Sequence, residues 1–97
     1  MITEEQKNII IAILKPYTPK MIGVFGSFAR NENSQDSDLD ILVEFQNTVN
    51  LLDIIGAENE LTEILNLKVD LITKKAISPR LIPYIESDLK KIFYAEG

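Results

Sequence analysis

The sequence contains no cysteine and no histidine. The first absence excludes disulfides, thiolate nucleophiles and cysteine-based zinc sites, and the second removes the usual general base and the commonest transition-metal ligand. Chemistry in this chain therefore falls to carboxylates, hydroxyls, amines and amides. A metal bound by such groups is a hard cation such as magnesium, manganese or calcium. Basic residues are also in deficit: ten Lys and Arg against fifteen Asp and Glu leave a net charge of −5. That balance argues against nucleic-acid binding by bulk charge, because phosphate backbones are met by broad basic surfaces. No apolar run approaches the roughly 18 residues of a membrane-spanning helix, and the opening Met-Ile-Thr-Glu-Glu-Gln lacks the basic region of a secretory leader. The expectation is a cytoplasmic protein without membrane contact.

What is present suffices for one domain. Ninety-seven residues, 45% of them hydrophobic, fit a single unit over residues 1–97. A chain of this size buries only about two thirds of its unfolded surface, so its apolar residues are needed for packing. Thr3 and Gln6 form a capping-box pair, and Ile9, Ile10, Ile13 and Leu14 follow at helical spacing, predicting a helix from Glu4 to Lys15 that Pro16 stops. The continuous run Met21 to Phe25 reads as a buried strand bounded by Gly26, and a possible helical turn through Phe28, Ala29 and Arg30 leads into a polar loop, Asn31 to Ser37. Asp38 to Phe45 begins by alternating polar and apolar residues, as a strand does. Asn50 then caps a helix to Asn66 whose inner stripe is Leu51, Ile54, Ala57, Leu61, Ile64 and Leu65.

Lys68 to Thr73 reads as a third strand, and Ser78-Pro79 as the start of a last helix to about Lys90, distorted in its first turns by Pro83. Ile92-Phe93-Tyr94 fits either a short edge strand or a docked tail. The element order predicts an α/β (α+β) domain with a small sheet and helices packed against it. Its first two strands pair antiparallel, and its second and third are joined by a right-handed parallel crossover.

Asp38, Asp40 and Asp70 stand apart from the other acids. Asp38 and Asp40 lie about 6.6 Å apart on one strand face, and Asp70 sits on a strand that can lie about 4.8 Å away. They are either unrelated solvated acids or a cluster whose mutual repulsion a divalent cation relieves. Phe25-Gly26-Ser27 is open in the same way. Gly-Ser is common in plain turns, but a glycine and a serine between a strand and a helical turn also make a phosphate cradle. An antiparallel return puts that turn beside the acid pair. Arg30 fits a triphosphate contact as well as a salt bridge to Glu32 or Asp36. Ser37 either supports the acids or begins the strand, and Asp36 reads as a solvated loop acid.

Gly26-Ser27, ten intervening residues and Asp38-Leu39-Asp40 resemble the signature of the DNA polymerase β-like nucleotidyltransferase superfamily. The fuller stretches Gly26 to Arg30, Ser37 to Phe45, Leu51-Leu52-Asp53, Val69 to Thr73 and Pro79 to Ile85 are similar to the minimal nucleotidyltransferase (MNT) proteins. The resemblance implies a mixed sheet of three strands ordered 1-2-3, with the site at one end. It implies that Asp38 and Asp40 bridge two magnesium ions, for which manganese can substitute, that Asp70 is the third carboxylate, and that Gly26 and Ser27 hold the phosphates of ATP. Asn31 replaces the glycine that many relatives carry after the arginine, and asparagine is among the residues that tolerate a left-handed turn.

MNT proteins are paired with HEPN-domain proteins as antitoxin and toxin, so the resemblance further implies transfer of AMP from ATP to a tyrosine hydroxyl on a separate HEPN RNase. The acids Asp53, Glu58, Glu60 and Glu63, with no base among them, fit either a docking face for a basic partner or a solvated surface. Two other readings stay open. One is an antitoxin that neutralises by contact alone; the other is a nucleotidyltransferase for a small aminoglycoside-like alcohol or amine, which would need a shared pocket in a homo-oligomer. Tyr17, Tyr84 and Tyr94 are candidate modification sites, but core or interface packing is the safer reading of each.

Overall fold

Thr3 opens the first helix by the predicted capping box. The Gln6 backbone N–H donates to Thr3 Oγ1 at 3.1 Å, and the Thr3 N–H donates to Gln6 Oε1 at 2.9 Å. In the computed structural model, which describes residues 2–95, this helix is α1 (Glu4–Leu14). A 3₁₀ turn containing Pro16 and a left-handed Thr18 (φ 53°) lead into β1 (Pro19–Phe25). The chain continues through β2 (Leu39–Phe45), α2 (Leu51–Leu65), β3 (Val69–Thr73), α3 (Ile82–Asp88) and β4 (Lys90–Tyr94). Asn50 caps α2 by accepting the Leu52 N–H at 2.8 Å, and Asn66 ends it in the left-handed conformation (φ 56°). Both helix boundaries are therefore set by single asparagines, as side-chain capping and left-handed C-caps predict. Met1, Glu96 and Gly97, the ends of the expected 1–97 domain, lie outside the described residues.

The four strands form one mixed sheet in the order β3-β2-β1-β4. β1 is antiparallel to β2 and to β4, while β2 and β3 are parallel, joined by α2 as the expected crossover. The three-strand order predicted from sequence is kept, and β4 corrects it by adding a fourth strand to the free edge of β1. Strand alternation sends Ile22, Val24, Leu39, Ile41, Val43, Val69 and Leu71 to one face. There they meet Ile10 and Leu14 of α1 and Ala57 and Leu61 of α2 in the buried core. On the opposite face Leu89, just after α3, packs so closely over Gly23 that a Cβ at residue 23 would collide with it.

Two expectations about the helices need correction. Leu51 and Ile64 of the expected inner stripe are 68% and 52% exposed. Leu51 precedes Ala57 by six residues, about 240° around the helix, which turns it away from the sheet; Ile64 lies in the last turn, where little chain covers it. The third helix begins at Ile82 and not at Ser78, because Ser78 to Leu81 close a turn in which the Leu81 N–H donates to the Ser78 carbonyl at 2.9 Å. Pro83 then falls in the first turn of α3, where a missing N–H costs no helical bond, so it starts the helix where distortion was expected. Among the described residues no helix is long and apolar enough to cross a membrane.

Candidate active site

β1 runs out at Phe25 directly opposite Asp40 of β2. The next residue, Gly26, has φ +75°, and a Cβ there would collide with the Asp40 carboxylate. Glycine satisfies both demands: it enters the left-handed region without penalty and leaves room for an acid beside the main chain. A single turn follows. The Arg30 N–H donates to the Gly26 carbonyl at 3.1 Å, and the Glu32 N–H to that of Ser27 at 2.9 Å. Phe28 and Ala29 anchor this turn in the core at 7% and 8% exposure, leaving Ser27 half-buried above them. Asn31 takes φ 59°, the left-handed conformation its side chain tolerates, so the turn survives the replacement of glycine.

Parallel pairing sets Asp40 of β2 level with Asp70 of β3. The consequence is electrostatic. The Asp40 carboxyl is pushed up to about 6, first by burial, then by the charges of Asp70 and Asp38 and by hydrogen bonding to Asp70, while Arg30 pulls it down. Asp38, just before β2, has its Oδ2 3.9 Å from Lys68 Nζ, and its charge also acts on Asp40. Among the described residues no three acids converge as a finished metal cage. The structure thus brings together Asp40, Asp70 and the Gly26-Ser27 turn, and leaves Asp38 at the rim of the same strand end. The donor set nevertheless fits a hard divalent cation, since it consists of carboxylate oxygens and one of them, Asp40, has its charge penalised by burial and by its acidic neighbours.

Arg30 reaches Asp88 Oδ2 through Nη1 at 2.6 Å and Glu32 Oε2 through Nε at 3.2 Å. These bonds to Asp88 and Glu32 raise its pKa above the ordinary value. Of the partners expected for it, Glu32 is present and Asp36 is not among those bonded; Asp88, from the end of α3, was not foreseen, since nothing local links residues 58 apart in sequence. Lys68 was also missed, although a signal existed: it precedes Asp70 by two residues as Asp38 precedes Asp40, so the parallel register that pairs the latter two aligns the former. Ser37 closes the loop by accepting the Ser34 N–H at 2.8 Å, and Asp36 is exposed as expected.

The chain matches the family model "Nucleotidyltransferase domain" over residues 5–92. It is 47% identical over 74 residues to a Methanocaldococcus jannaschii protein provisionally named a protein adenylyltransferase, covering 75% of this chain and 76% of that one. It is 41% identical over 78 residues to the protein adenylyltransferase MntA of Thermococcus cleftensis, covering 76% and 79%. A crystal structure of a toxin-antitoxin with AMP-PNP superposes with a TM-score of 0.82 at 26% identity, covering 93% of this chain and 74% of that chain. With the family model matched across nearly the whole chain and relatives more than 40% identical over three quarters of it, the chain belongs to the nucleotidyltransferase domain family.

Proposed function

We propose that residues 1–97 act as one minimal nucleotidyltransferase domain, a cytoplasmic protein adenylyltransferase that moves AMP from ATP to a tyrosine hydroxyl of a separate HEPN toxin and so serves as its antitoxin. The observation that carries this reading is the level pairing of Asp40 with Asp70 beside the Gly26 turn. In the reaction the hydroxyl oxygen bonds to the α-phosphorus, the bond from that phosphorus to the β-bridging oxygen breaks, and pyrophosphate leaves with the electron pair. Gly26 and Ser27 hold the phosphates, the first by close main-chain approach and the second by its hydroxyl. Asp70 orients the incoming hydroxyl and takes up its proton, with Asp40 fixed beside it. Asp38, Asp40 and Asp70 would hold two magnesium ions, or manganese, which when bound acidify the hydroxyl and neutralise the leaving pyrophosphate. Exposed Leu51, Leu52, Leu81 and Tyr84 offer apolar surface of the kind a protein partner covers.

The test is to incubate the chain with its partner toxin, Mg²⁺ and ATP labelled at the α-phosphate. Label is expected on the toxin, and is expected to disappear with Asp38→Ala/Asp40→Ala. An unlabelled toxin that the double variant still inhibits fully would make the chain a non-catalytic antitoxin. Label appearing on an added aminoglycoside-like alcohol or amine, with none on the toxin, would make it a small-molecule enzyme.

A further inference from the structure

β3 is an edge strand, with β2 on one side and no strand on the other. Alternate N–H groups of such a strand point away from the sheet and need other acceptors. Here α2 supplies them. The Leu71 N–H donates to Glu58 Oε2 at 2.8 Å, and the Val69 N–H donates to Thr62 Oγ1 at 3.1 Å. The spacing is matched: one helical step of four residues rises about 6.0 Å, and two strand residues advance about 6.6 Å. The numbering runs in opposite senses, 58 to 71 and 62 to 69, as the antiparallel packing of a crossover helix on its strand requires. Between the two clamped amides stands Asp70.

From this the geometry points to Glu58 and Thr62 as positioning residues that fix the level of β3 and thereby hold Asp70 against Asp40. A one-residue slip of β3 would turn Asp70 toward the core face, and a two-residue slip would set Lys68 or Ile72 level with Asp40. The hydrophobic contacts of Val69 and Leu71 resist the first slip; directional bonds at both flanks resist smaller displacements that packing tolerates. Glu58, which sequence patterning grouped with an acidic docking face, is therefore turned inward. Asp53, Glu60 and Glu63 stay exposed. The proposal rests on the adenylyltransferase reading for its catalytic consequence, though not for its structural one.

The experiment compares the parent chain with Glu58→Ala, Glu58→Gln, Thr62→Val and Thr62→Ser, reading AMP transfer to the toxin and amide hydrogen exchange by residue. Glu58→Ala is expected to lower kcat about tenfold with KM for ATP within about twofold, since displacing a reacting group by a fraction of an ångström costs rate more than binding. Its Leu71 amide should exchange at least about tenfold faster while that of Ile41, on the central β2, is unchanged. Glu58→Gln keeps an acceptor oxygen and should restore both. Thr62→Val should speed exchange at Val69, and Thr62→Ser should not. Parent-like kcat and Leu71 exchange in Glu58→Ala overturn the proposal, as does a loss that Glu58→Gln fails to rescue. If Glu58→Ala does not fold, the Thr62 pair decides: parent-like Val69 exchange and kcat in Thr62→Val overturn it. A parent that transfers no AMP defeats the adenylyltransferase reading alone, because the exchange measurements still decide the clamp.

Discussion

Asp40 and Asp88 are both within the influence of Arg30, and their situations are opposite. Asp88 binds the guanidinium directly at 2.6 Å. Asp40 feels Arg30 only as a weak opposing charge, is half-buried, and has two further acids for company. One acid is compensated and the other is left in deficit, although the chain has a cation at hand for either. Arginine is spent on holding the turn to the C-terminal segment, and Asp40 keeps an unmet demand for positive charge that a divalent ion can answer. A fold optimised for stability alone would make the other choice.

The contrast can be broken or sharpened at four points. The largest effect expected is catalytic: Asp40→Asn or Asp70→Asn should reduce labelled AMP transfer by about a thousandfold or more, whereas Asp88→Asn should stay within about tenfold. Equal losses at all three positions would erase the distinction between the two acid sites. Next comes Gly26→Ala, which forces a side chain to φ +75° and into the Asp40 carboxylate. It should cost about 2–3 kcal/mol in a urea unfolding series, and less when combined with Asp40→Ala, which removes the colliding group.

The third effect reverses sign. Because the folded Asp40 pKa of about 6 lies above the ordinary value of 3.8, the native state binds the proton more tightly than the unfolded chain. Stability is therefore lost as pH rises through this interval, and the penalty is complete above it. Asp40→Asn should raise metal-free stability at pH 7 by about 1 kcal/mol, allowing for solvent screening of a partly exposed group, with the gain vanishing near pH 4. Thermal melts at the two pH values check it. The smallest effect belongs to Asp88→Asn, which should shift the melting midpoint least of these variants. Freed from Asp88, Arg30 should turn toward the triphosphate and lower KM for ATP; an Arg30→Gln chain with unchanged KM would assign that arginine to structure alone.

Local signals carried most of the architecture. Thr3 with Gln6, Asn50, Asn66 and the alternation after Asp38 each specify geometry within a few residues, and the helices and central strands follow from them. Ser78-Pro79 misled because the same residues that start helices also make turns, and only the place of Pro83 on the three-dimensional path separates the two. β4 was ambiguous because a five-residue edge strand with two lysines has little burial to print on its sequence. In the candidate site, the approach of Gly26 and of Asp70 to Asp40 was legible from motif and alternation. Asp88 and the inward turn of Glu58 were not, since each depends on a partner that the fold alone brings near.

The tie between Arg30 and Asp88 also joins two parts of the chain that lie far apart in sequence. One segment, residues 82–94, tethers Arg30, covers Gly23 and fills the outer edge of β1. Loosening that one segment would therefore free the Gly26 turn and the outer edge of β1 together, while the acids, carried on β2 and β3, keep their register.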